Sequence, residues 1–392
     1  MLFRAAPGLR ALVSAVAVCL VVVLSGNFLI PASYAQSSVR PPDAAVEAPS
    51  DPALSGQVPG NTSGSASDAD LWRQIKEGGA GNVASPDASD GRMIQYEGQL
   101  WREIHNGPLP RYGAWALIGT IVLLALVFAG LGRVRITAGR SGRTITRFTA
   151  FERAGHWLTA SSFVLLALTG LNILYGRGVL LPLIGAEAFA AITLWGKYIH
   201  NYVAFAFIAG LIIVFAQWVV YNFPNRHDLV WLAKGGGILV KNVHAPAKKF
   251  NAGQKIIFWL TIIGGASLAL SGWALLFPFT TSFMTHTFDL LAAVGIDLPA
   301  WLGLPQPPYT PMMEQQLNQV WHSIMGLFLT AVIIAHIYIG TIGMEGAFEA
   351  MGTGEVEENW AREHHSIWVE ELERKRDQET AREGAAAQQP AE

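Results

Sequence analysis

Two histidines, His322 and His336, lie fourteen positions apart in an apolar stretch that contains no Lys, Arg, Asp or Glu. On an α-helix this spacing advances about 21 Å and returns to within about 40° of the starting face. Both imidazoles are therefore predicted to point to one side of a helix, near the two surfaces of a hydrocarbon core about 30 Å thick. An ionisable side chain at such a depth costs free energy, so its presence there indicates a functional role. Two neutral imidazoles stacked across a membrane suit two haem irons. The alternative is a pair of histidines hydrogen-bonded to neighbouring helices.

The composition is that of a membrane protein with sizeable polar segments. Of the 392 residues, 51% are hydrophobic and only 14% are charged, and the mean hydropathy is +0.32. The net charge of −2 argues against a nucleic-acid partner. Five apolar segments are long enough to cross a bilayer: 113–132, 157–175, 200–222, 256–277 and 316–343.

The N-terminal part of the chain carries the features of export. Arg4 and Arg10 precede an apolar run, and a small-x-small pattern ends at Ala35, so residues 1–35 are predicted to be a signal peptide. The alternative is an uncleaved anchor. Residues 36–112, rich in Ser, Ala, Asp, Gly and Pro, are expected to form a partly disordered periplasmic segment. The only cysteine lies within the signal, which argues against disulfides, Cys-ligated iron–sulfur clusters and covalently attached haem in the mature chain.

The distribution of basic residues sets the predicted orientation. The loops 133–153 and 223–255 contain six Lys or Arg each, whereas 176–199 contains two and 278–315 none. Because cytoplasmic loops are enriched in Lys and Arg, the first two loops are predicted to be cytoplasmic. The mature N-terminus is then periplasmic, and the tail 346–392 is cytoplasmic.

Four of the ten histidines lie at or inside predicted spans, and the topology gives each of them a depth. His156 and His336 fall near the cytoplasmic ends of their spans, and His200 and His322 near the periplasmic ends. Matching depths pairs His156 with His336 and His200 with His322, which predicts two bis-histidine sites. Zinc and copper usually need more ligands, or carboxylates and thiolates, which the spans do not supply. Haem brings four equatorial nitrogens, so two axial histidines suffice.

Small and basic residues near these histidines are secondary candidates. Gly170, Gly210 and Gly326 would let a porphyrin approach the helices, with ordinary close helix packing as the alternative. Arg153 and Lys197 each precede a predicted ligand by three residues. They could pair with haem propionates or anchor the helices at the membrane interface.

The segment from about 147 to 368 resembles the b-type cytochrome (gamma) subunit of membrane-bound bacterial formate dehydrogenase. Besides the His322 and His336 spacing, the resemblance depends on 152–157 (Glu-Arg-Ala-Gly-His-Trp), 166–170 (Leu-Ala-Leu-Thr-Gly), 251–255 (Asn-Ala-Gly-Gln-Lys) and 360–368 (Trp-Ala-Arg-Glu-His-His-Ser-Ile-Trp). The histidine pattern alone would also fit cytochrome subunits of hydrogenases and thiosulfate reductases. The chain departs from shorter members of the family in its signal, its exported segment and the helix at 113–132.

The resemblance implies cofactors, partners and a fold. In that family the four histidines ligate two b haems. Electrons pass from an iron–sulfur (beta) subunit to the periplasmic haem, then to the cytoplasmic haem, and then to a quinone, either ubiquinone or menaquinone. Formate is oxidised on a separate molybdenum or tungsten catalytic (alpha) subunit. The expected fold is an all-α integral-membrane protein of the bacterial inner membrane, in contact with membrane lipid. A four-helix transmembrane di-haem cytochrome b core at 133–345 follows one extra N-terminal transmembrane helix at 113–132.

The polar stretch at the start of the fourth span is the predicted quinone site. Asn251 would cap the helix, but its amide and that of Gln254 could instead donate hydrogen bonds to a quinone oxygen. Gly253 would let a flat ring come close. From the residues alone a plain helix start is the simpler interpretation. The resemblance favours a quinone site, because the stretch matches the family's quinone-site segment. The other functions left open are a cytochrome subunit of another respiratory oxidoreductase and a haem-free membrane anchor or transporter.

Overall fold

The computed structural model describes residues 96–237 and 244–387. The predicted signal peptide, and the predicted exported segment as far as residue 95, lie outside the described residues. From Leu100 onward the chain belongs to one compact unit. Its helices are α1 (Tyr96–Asn106), α2 (Pro108–Leu131), α3 (Ala150–Val179), α4 (Leu181–Trp218), α5 (Arg226–Ala233), α6 (Ala252–Leu276), α7 (Phe283–Ala293), α8 (Leu298–Leu302), α9 (Pro311–Tyr338), α10 (Glu349–Gly352), α11 (Glu358–His364) and α12 (Ser366–Ala387).

Five of these helices, α2, α3, α4, α6 and α9, are long and apolar enough to cross a membrane. Large apolar side chains on their surfaces are open to the surroundings: Leu123, Leu126, Leu168, Ile212 and Ile263 are each 60–65% exposed. Water would solvate such a surface poorly, whereas lipid solvates it well, and a helix satisfies its own backbone hydrogen bonds. The chain is therefore an all-α integral membrane protein, with four core spans and α2 as an extra N-terminal span, as the sequence predicts.

The extra span packs on the same bundle as the core spans. Helix α9 lies against both α2 and α6, and α4 lies against both α3 and α6. The hydroxyl of Tyr175 donates to the carbonyl oxygen of Pro110 at 2.8 Å and so ties the end of α3 to the start of α2. A Cβ at Gly210 would lie 2.5 Å from Thr159 Oγ1. Gly210 thus serves the close approach of α3 and α4.

The connection between the second and third spans is helical, where the sequence predicted a loop at 176–199. Helix α3 runs to Val179 and α4 begins at Leu181, with a kink at Gly185, whose φ of 80° favours glycine. The stretch is rich in Ala and Leu, which are good helix formers. His200 therefore lies about five turns into α4 rather than at its start.

One end of the bundle is covered by folded connecting segments, and we call it the capped end. The strands β1 (Thr144–Thr146) and β2 (Glu355–Glu357) pair antiparallel there, with Ile145 opposite Val356. A buried apolar cluster joins these segments to the neighbouring ends of α4 and α6: Ile136, Phe148, Val214, Trp218, Phe250, Phe258, Ala350, Val356, Trp360, Ala361, Trp368 and Val369. The first part of the predicted tail is thus built into the fold.

The opposite end carries α7 and α8, in a segment that the sequence predicted as a loop. Glu314, near the start of α9, is 2% exposed. Its carboxylate accepts hydrogen bonds from the backbone N–H groups of Met284 and Thr285 at 2.9 and 2.7 Å. These donors belong to the first turn of α7 and have no partner within that helix. The buried carboxylate therefore fixes α7 against the start of α9.

Candidate functional site

The structure brings the four predicted histidines together in two pairs. The ring centroids of His156 on α3 and His336 on α9 are 6.3 Å apart, toward the capped end. Those of His200 on α4 and His322 on α9 are 6.2 Å apart, toward the opposite end. Within the described ranges, no group of three or more His, Cys, Asp or Glu side chains is placed to hold a metal ion. Each pair therefore offers two ligands and no more.

Hydroxyl groups fix both rings of the His200–His322 pair. Thr169 Oγ1 lies 2.9 Å from His200 Nδ1, and Ser271 Oγ lies 3.0 Å from His322 Nδ1. Both hydroxyls donate to the carbonyl oxygen four residues earlier, each at 2.8 Å. Since the hydroxyl protons are used in this way, the hydroxyl oxygens accept from Nδ1–H, and Nε2 of both rings keeps a free lone pair.

Two glycines lie against the same rings. A Cβ at Gly170 would lie 3.4 Å from Cε1 of His200, and one at Gly272 would lie 3.2 Å from Cε1 of His322. Gly170 was predicted to lie beside a porphyrin, whereas Gly272 was not. A Cβ at Gly326, which is the predicted glycine on α9, would meet no described atom within 4 Å. Glycine at 170 and 272 therefore gives these two imidazoles room beside α3 and α6.

The His156–His336 pair has aromatic neighbours instead of hydroxyls. The indole of Trp157 is edge-on to the His156 ring at 5.2 Å, and that of Trp218 is 6.5 Å away. Nδ1 of His156 is buried and has no hydrogen-bond partner among the described residues. No described side chain therefore sets the tautomer of this ring.

The segment that holds all four histidines matches a known family. The profile of prokaryotic cytochrome b561 matches residues 147–354, which is just over half of the chain. The chain belongs to the prokaryotic cytochrome b561 family. Membership of a b-type cytochrome family implies haem b as the prosthetic group.

Individual relatives of this b561 cytochrome are subunits of formate dehydrogenases. The formate dehydrogenase cytochrome b556(fdo) subunit of Escherichia coli (strain K12) is 30% identical over 230 residues, which cover 58% of this chain and 93% of the relative. The nitrate-inducible formate dehydrogenase cytochrome b556(Fdn) subunit of the same strain is 26% identical over 244 residues, covering 62% and 98%. The formate dehydrogenase cytochrome b556 subunit of Haemophilus influenzae is 22% identical over 230 residues, covering 58% and 83%. A large part of this chain lies outside each match.

The spacing of the histidine pairs fits a haem b between them. A metal–imidazole bond is about 2.0 Å long and the nitrogen lies about 1.1 Å from the ring centre, so two imidazoles on opposite sides of one metal have centres about 6.2 Å apart. The observed separations are 6.3 and 6.2 Å. Haem supplies the other four nitrogens, so two protein ligands complete the coordination. The free Nε2 atoms of His200 and His322 are suited to iron.

The basic residues predicted near the haems have different surroundings. Arg153, one turn before His156, donates from Nη1 to the carbonyl oxygen of Gly352 at 2.6 Å, so its guanidinium is partly used within the capped end. Lys197, on α4, forms no ion pair or hydrogen bond with another described side chain. Only Lys197 therefore keeps all its donors for a haem propionate or the membrane interface.

Aromatic side chains connect His156 to the predicted quinone segment. Trp218 lies 6.5 Å from His156, and Phe250, the residue before that segment, lies 5.5 Å from Trp218. Glu152 Oε1 accepts from Trp218 Nε1 at 3.0 Å and from Lys249 Nζ at 2.7 Å. The start of α6 is thus held beside the start of α3, two ring contacts away from His156.

Asn251 and Gln254 form a capping box at the start of α6. Oδ1 of Asn251 accepts from the Gln254 backbone N–H at 2.9 Å, and Oε1 of Gln254 accepts from the Asn251 backbone N–H at 3.1 Å. Nδ2 of Asn251 and Nε2 of Gln254 take part in no hydrogen bond within the described residues. The cap therefore uses the amide oxygens and leaves both amide NH2 groups as donors.

The space over Gly253 differs from the prediction. A Cβ at this position would lie 2.9 Å from Cη2 of Trp231 on α5. The flat ring that comes close to Gly253 is therefore an indole of the chain itself. A quinone ring at this glycine would have to displace Trp231.

A groove of about 670 Å³ lies beside the start of α6, on another face of the helix. Its walls are mostly apolar and include Leu229, Ile263 and Phe328. At its polar end the ammonium group of Lys255 is 2.8 Å from Asp228 Oδ2. None of the three predicted quinone residues lines this groove. It is a separate feature of the capped end.

A buried polar cluster at the capped end was missed from the sequence. His365 is 0% exposed, and its Nδ1 donates to the carbonyl oxygen of Lys248 at 2.7 Å. Burial lowers the pKa of His364 to about 4 and holds the pKa of His365 well below its usual range. Burial also lowers the pKa of the Arg147 guanidinium to about 9. The signal that could have found this cluster is the adjacent histidine pair in an aromatic-flanked stretch of an otherwise charged tail.

Proposed function

We propose that this chain is the membrane-anchoring, di-haem b cytochrome subunit of a formate dehydrogenase. The observation that carries the proposal is the presence of two histidine pairs at two levels of one bundle, each with the ring spacing that one metal would give. The relatives, which are formate dehydrogenase cytochrome b556 subunits, support formate as the substrate of the whole complex. This chain carries electrons to a quinone, while formate is oxidised on a separate chain.

Four residues would hold the two haems, His156 with His336 and His200 with His322. The haems supply one-electron redox centres near the two membrane surfaces. The chain keeps the imidazoles neutral in an apolar bundle and holds the two sites apart along α9. Electrons would enter from an iron–sulfur (beta) subunit, which receives them from a molybdenum or tungsten (alpha) subunit.

The charge distribution supports an orientation with the capped end in the cytoplasm. The described parts of the loops 133–153 and 223–255 lie at this end, whereas 278–315 lies at the other. The first two loops contain six Lys or Arg each and the third contains none. The His200–His322 pair would then face the periplasm, where the iron–sulfur partner delivers electrons. Reporter fusions at residue 90 and after Glu392 should respond in opposite compartments. Fusions that report the same compartment would overturn the orientation.

The quinone, ubiquinone or menaquinone, would be reduced at Asn251 and Gln254 on the cytoplasmic side. Reduction takes two electrons and two protons, so the site needs a nearby electron donor and polar groups close to water. Two aromatic contacts lead from His156 to the residue before Asn251. The amide NH2 groups of Asn251 and Gln254 take part in no hydrogen bond with the part of the chain that the structure describes. Because Trp231 lies over Gly253, the proposed site depends on the two amides. Gly253 can contact the quinone only if that indole moves.

Haem content and copurifying partners test the proposed function. The protein, purified in detergent from its native membrane, should contain two haems b per chain by pyridine haemochrome analysis and show a low-spin spectrum. An iron–sulfur subunit and a molybdenum or tungsten subunit should copurify, and formate should reduce both haems. Haem reduction by another donor but not by formate would identify a cytochrome subunit of a different oxidoreductase. A haem-free protein would identify a membrane anchor or transporter.

A further inference from the structure

Gln254 is held in one orientation by two hydrogen bonds to the same oxygen. Its Oε1 accepts from the Asn251 backbone N–H at 3.1 Å and from Nη2 of Arg147 at 3.2 Å. Because both partners are donors, a flipped amide would place N–H groups against N–H groups. Oε1 is therefore committed to the fold, and Nε2 with its two protons is the part of the amide left to meet a ligand.

Among the described residues, Arg147 forms no ion pair with a carboxylate, and other groups hold it in place. Its side chain is 4% exposed, and the guanidinium lies over the rings of Phe148, Trp360 and Trp368 at 5.1, 5.2 and 5.9 Å. The same Nη2 also donates to the carbonyl oxygen of Lys249 at 2.6 Å. Arginine is rarely buried without a charged partner, because an uncompensated charge is costly to remove from water. The cluster therefore points to a use for this charge beside Gln254.

We propose that Arg147 is a positioning residue of the quinone site, which holds the Gln254 amide so that Nε2 donates to an oxygen of the quinone ring. The inference rests on the proposed function, because it requires a quinone at Asn251 and Gln254. Arg147 does not touch the quinone. Its cation behind the amide polarises the N–H donors of Gln254 and so strengthens their hydrogen bond to the quinone oxygen.

A simpler role for Arg147 is a structural tie between the capped end and α6 through the Lys249 carbonyl. The two roles differ in how they depend on the side chain at position 254. If Arg147 is a structural tie, its substitution has the same effect with any side chain at position 254. If Arg147 positions the Gln254 amide, its substitution has no effect once that amide is absent. A double-mutant cycle between the two residues separates the roles.

The cycle uses the complete membrane-bound complex, with a short-chain benzoquinone or naphthoquinone as electron acceptor. Gln254→Ala should raise the quinone KM about tenfold, through the loss of one hydrogen bond, while haem content and haem reduction by the partner stay unchanged. Arg147→Met keeps an apolar stem among the aromatic rings and should raise KM by a similar factor. In the Gln254→Ala background the same change should alter KM by less than about twofold. Arg140→Met, at an exposed arginine of the same loop, is the matched control and should leave KM unchanged.

The experiment distinguishes failure of the positioning role from failure of the proposed quinone site. An equal rise in KM for Arg147→Met in both backgrounds would overturn the positioning role and leave the structural tie. Unchanged quinone turnover in Gln254→Ala would overturn the proposed quinone site and, with it, this inference.

A second variant keeps the inference testable if Arg147→Met does not fold. Gln254→Glu retains an oxygen for the Asn251 N–H and for Arg147, and Glu is favoured at this position of a capping box. It replaces the donor NH2 by an acceptor oxygen and compensates the charge of Arg147. The fold and both haems should be retained, while the quinone KM rises about tenfold. Wild-type quinone kinetics in Gln254→Glu would show that Nε2 is not the donor and would overturn the inference.

Discussion

The two histidine pairs have nearly the same ring spacing and very different surroundings. The centroids are 6.2 Å apart in the His200–His322 pair and 6.3 Å apart in the His156–His336 pair. Two hydroxyls fix the first pair and two glycines flank it. Indoles flank the second pair, and the buried Nδ1 of His156 has no partner among the described residues. The two pairs thus share a spacing, whereas neighbouring side chains fix the ring orientation and tautomer in the His200–His322 pair alone among the described residues. As proposed haem ligands, the two pairs would be tuned differently, because a hydrogen bond to the second ring nitrogen raises ligand basicity.

The two ends of the bundle also differ in the polar groups that they contain. At the capped end the polar groups form a cluster around Arg147 and His365, close to the proposed quinone residues. At the opposite end a buried carboxylate, Glu314, fixes a short helix over the bundle. The polar groups of the capped end thus lie beside the proposed quinone residues, and those of the opposite end fix the proposed haem ligands and the backbone. Variants at each end should change one end and spare the other.

The largest expected effect is the loss of one haem from one end. His200→Ala or His322→Ala removes one of only two protein ligands, so the haem at the opposite end should be lost while the capped-end haem remains. His156→Ala or His336→Ala should give the reverse. The haem-to-protein ratio should fall from two to one in each variant, with the remaining haem identified by its redox difference spectrum. Full haem content in any of the four variants would break the proposed pairing.

Removing a hydroxyl beside a ligand should weaken one haem without removing it. Thr169→Val or Ser271→Ala deletes the acceptor of a ligand Nδ1–H, so the haem at the opposite end should bind about 10–100-fold more weakly. Its midpoint potential should rise, because a less basic imidazole stabilises ferric iron less. A potentiometric titration should show the capped-end haem unchanged. Ser161→Ala is the control, because this hydroxyl donates to the Trp157 carbonyl at 2.7 Å and contacts no histidine. Equal shifts at both haems would contradict a local role for the hydroxyls.

The sequence was sufficient for the existence of the five spans, because hydropathy is a property of single segments. It placed His200 at the start of its helix, whereas the structure places it about five turns into α4. Depth alone matched the histidines that the structure brings together. The helix at 176–199 was missed because hydropathy shows only where an apolar run ends. A helix can continue past that point as long as its residues favour helical structure. Thr169, Ser271 and Gly272 were missed because each contacts a histidine on a different helix, and such contacts depend on rotation about helix axes.

The cluster around Arg147 could not be predicted for a related reason. The burial of Arg147 and His365 depends on a segment near 360 folding back onto loops more than a hundred positions earlier. The sequence near residue 360 contains charged and aromatic residues that would also suit a tail exposed to water. Asn251 is the converse case, because its role as helix cap follows from local sequence and is what the structure has.

Mild acid should loosen the capped end before the opposite end. Burial lowers the pKa of His364 to about 4 from the usual 6.5, so the fold favours its neutral form. The stability this gives is complete above pH 6.5 and is lost as the pH falls toward 4, with about 2 kcal/mol lost between pH 7 and pH 5. Hydrogen exchange of residues 355–369 should accelerate over this range, with α7 as the internal reference. His364→Gln should remove this contribution and leave that of His365, whose pKa burial also holds well below its usual range. An unchanged profile in the variant would contradict the role of His364.

The smallest expected effect concerns the glycines beside the His200–His322 pair. At Gly272 a new Cβ would lie 3.2 Å from His322 Cε1, closer than ordinary contact, so the ring must shift by a few tenths of an ångström. At Gly170 the distance to His200 Cε1 is 3.4 Å, which needs no shift. Gly272→Ala should therefore release haem up to about threefold faster. Gly170→Ala should retain both haems and gain up to about 1 kcal/mol from helix propensity.

The end of the bundle that loses haem shows whether the glycines act on the nearby histidine ring or on helix packing in general. Among the described residues, no glycine Cβ would meet a ring of the His156–His336 pair, so only the haem at the opposite end should respond. Haem release followed at two wavelengths that distinguish the two haems would test this. Equal loss from both ends in Gly272→Ala would assign the effect to the packing of α6 as a whole. Greater loss in Gly170→Ala than in Gly272→Ala would contradict ring clearance as the property that these glycines provide, because the tighter site must then tolerate the added methyl group better.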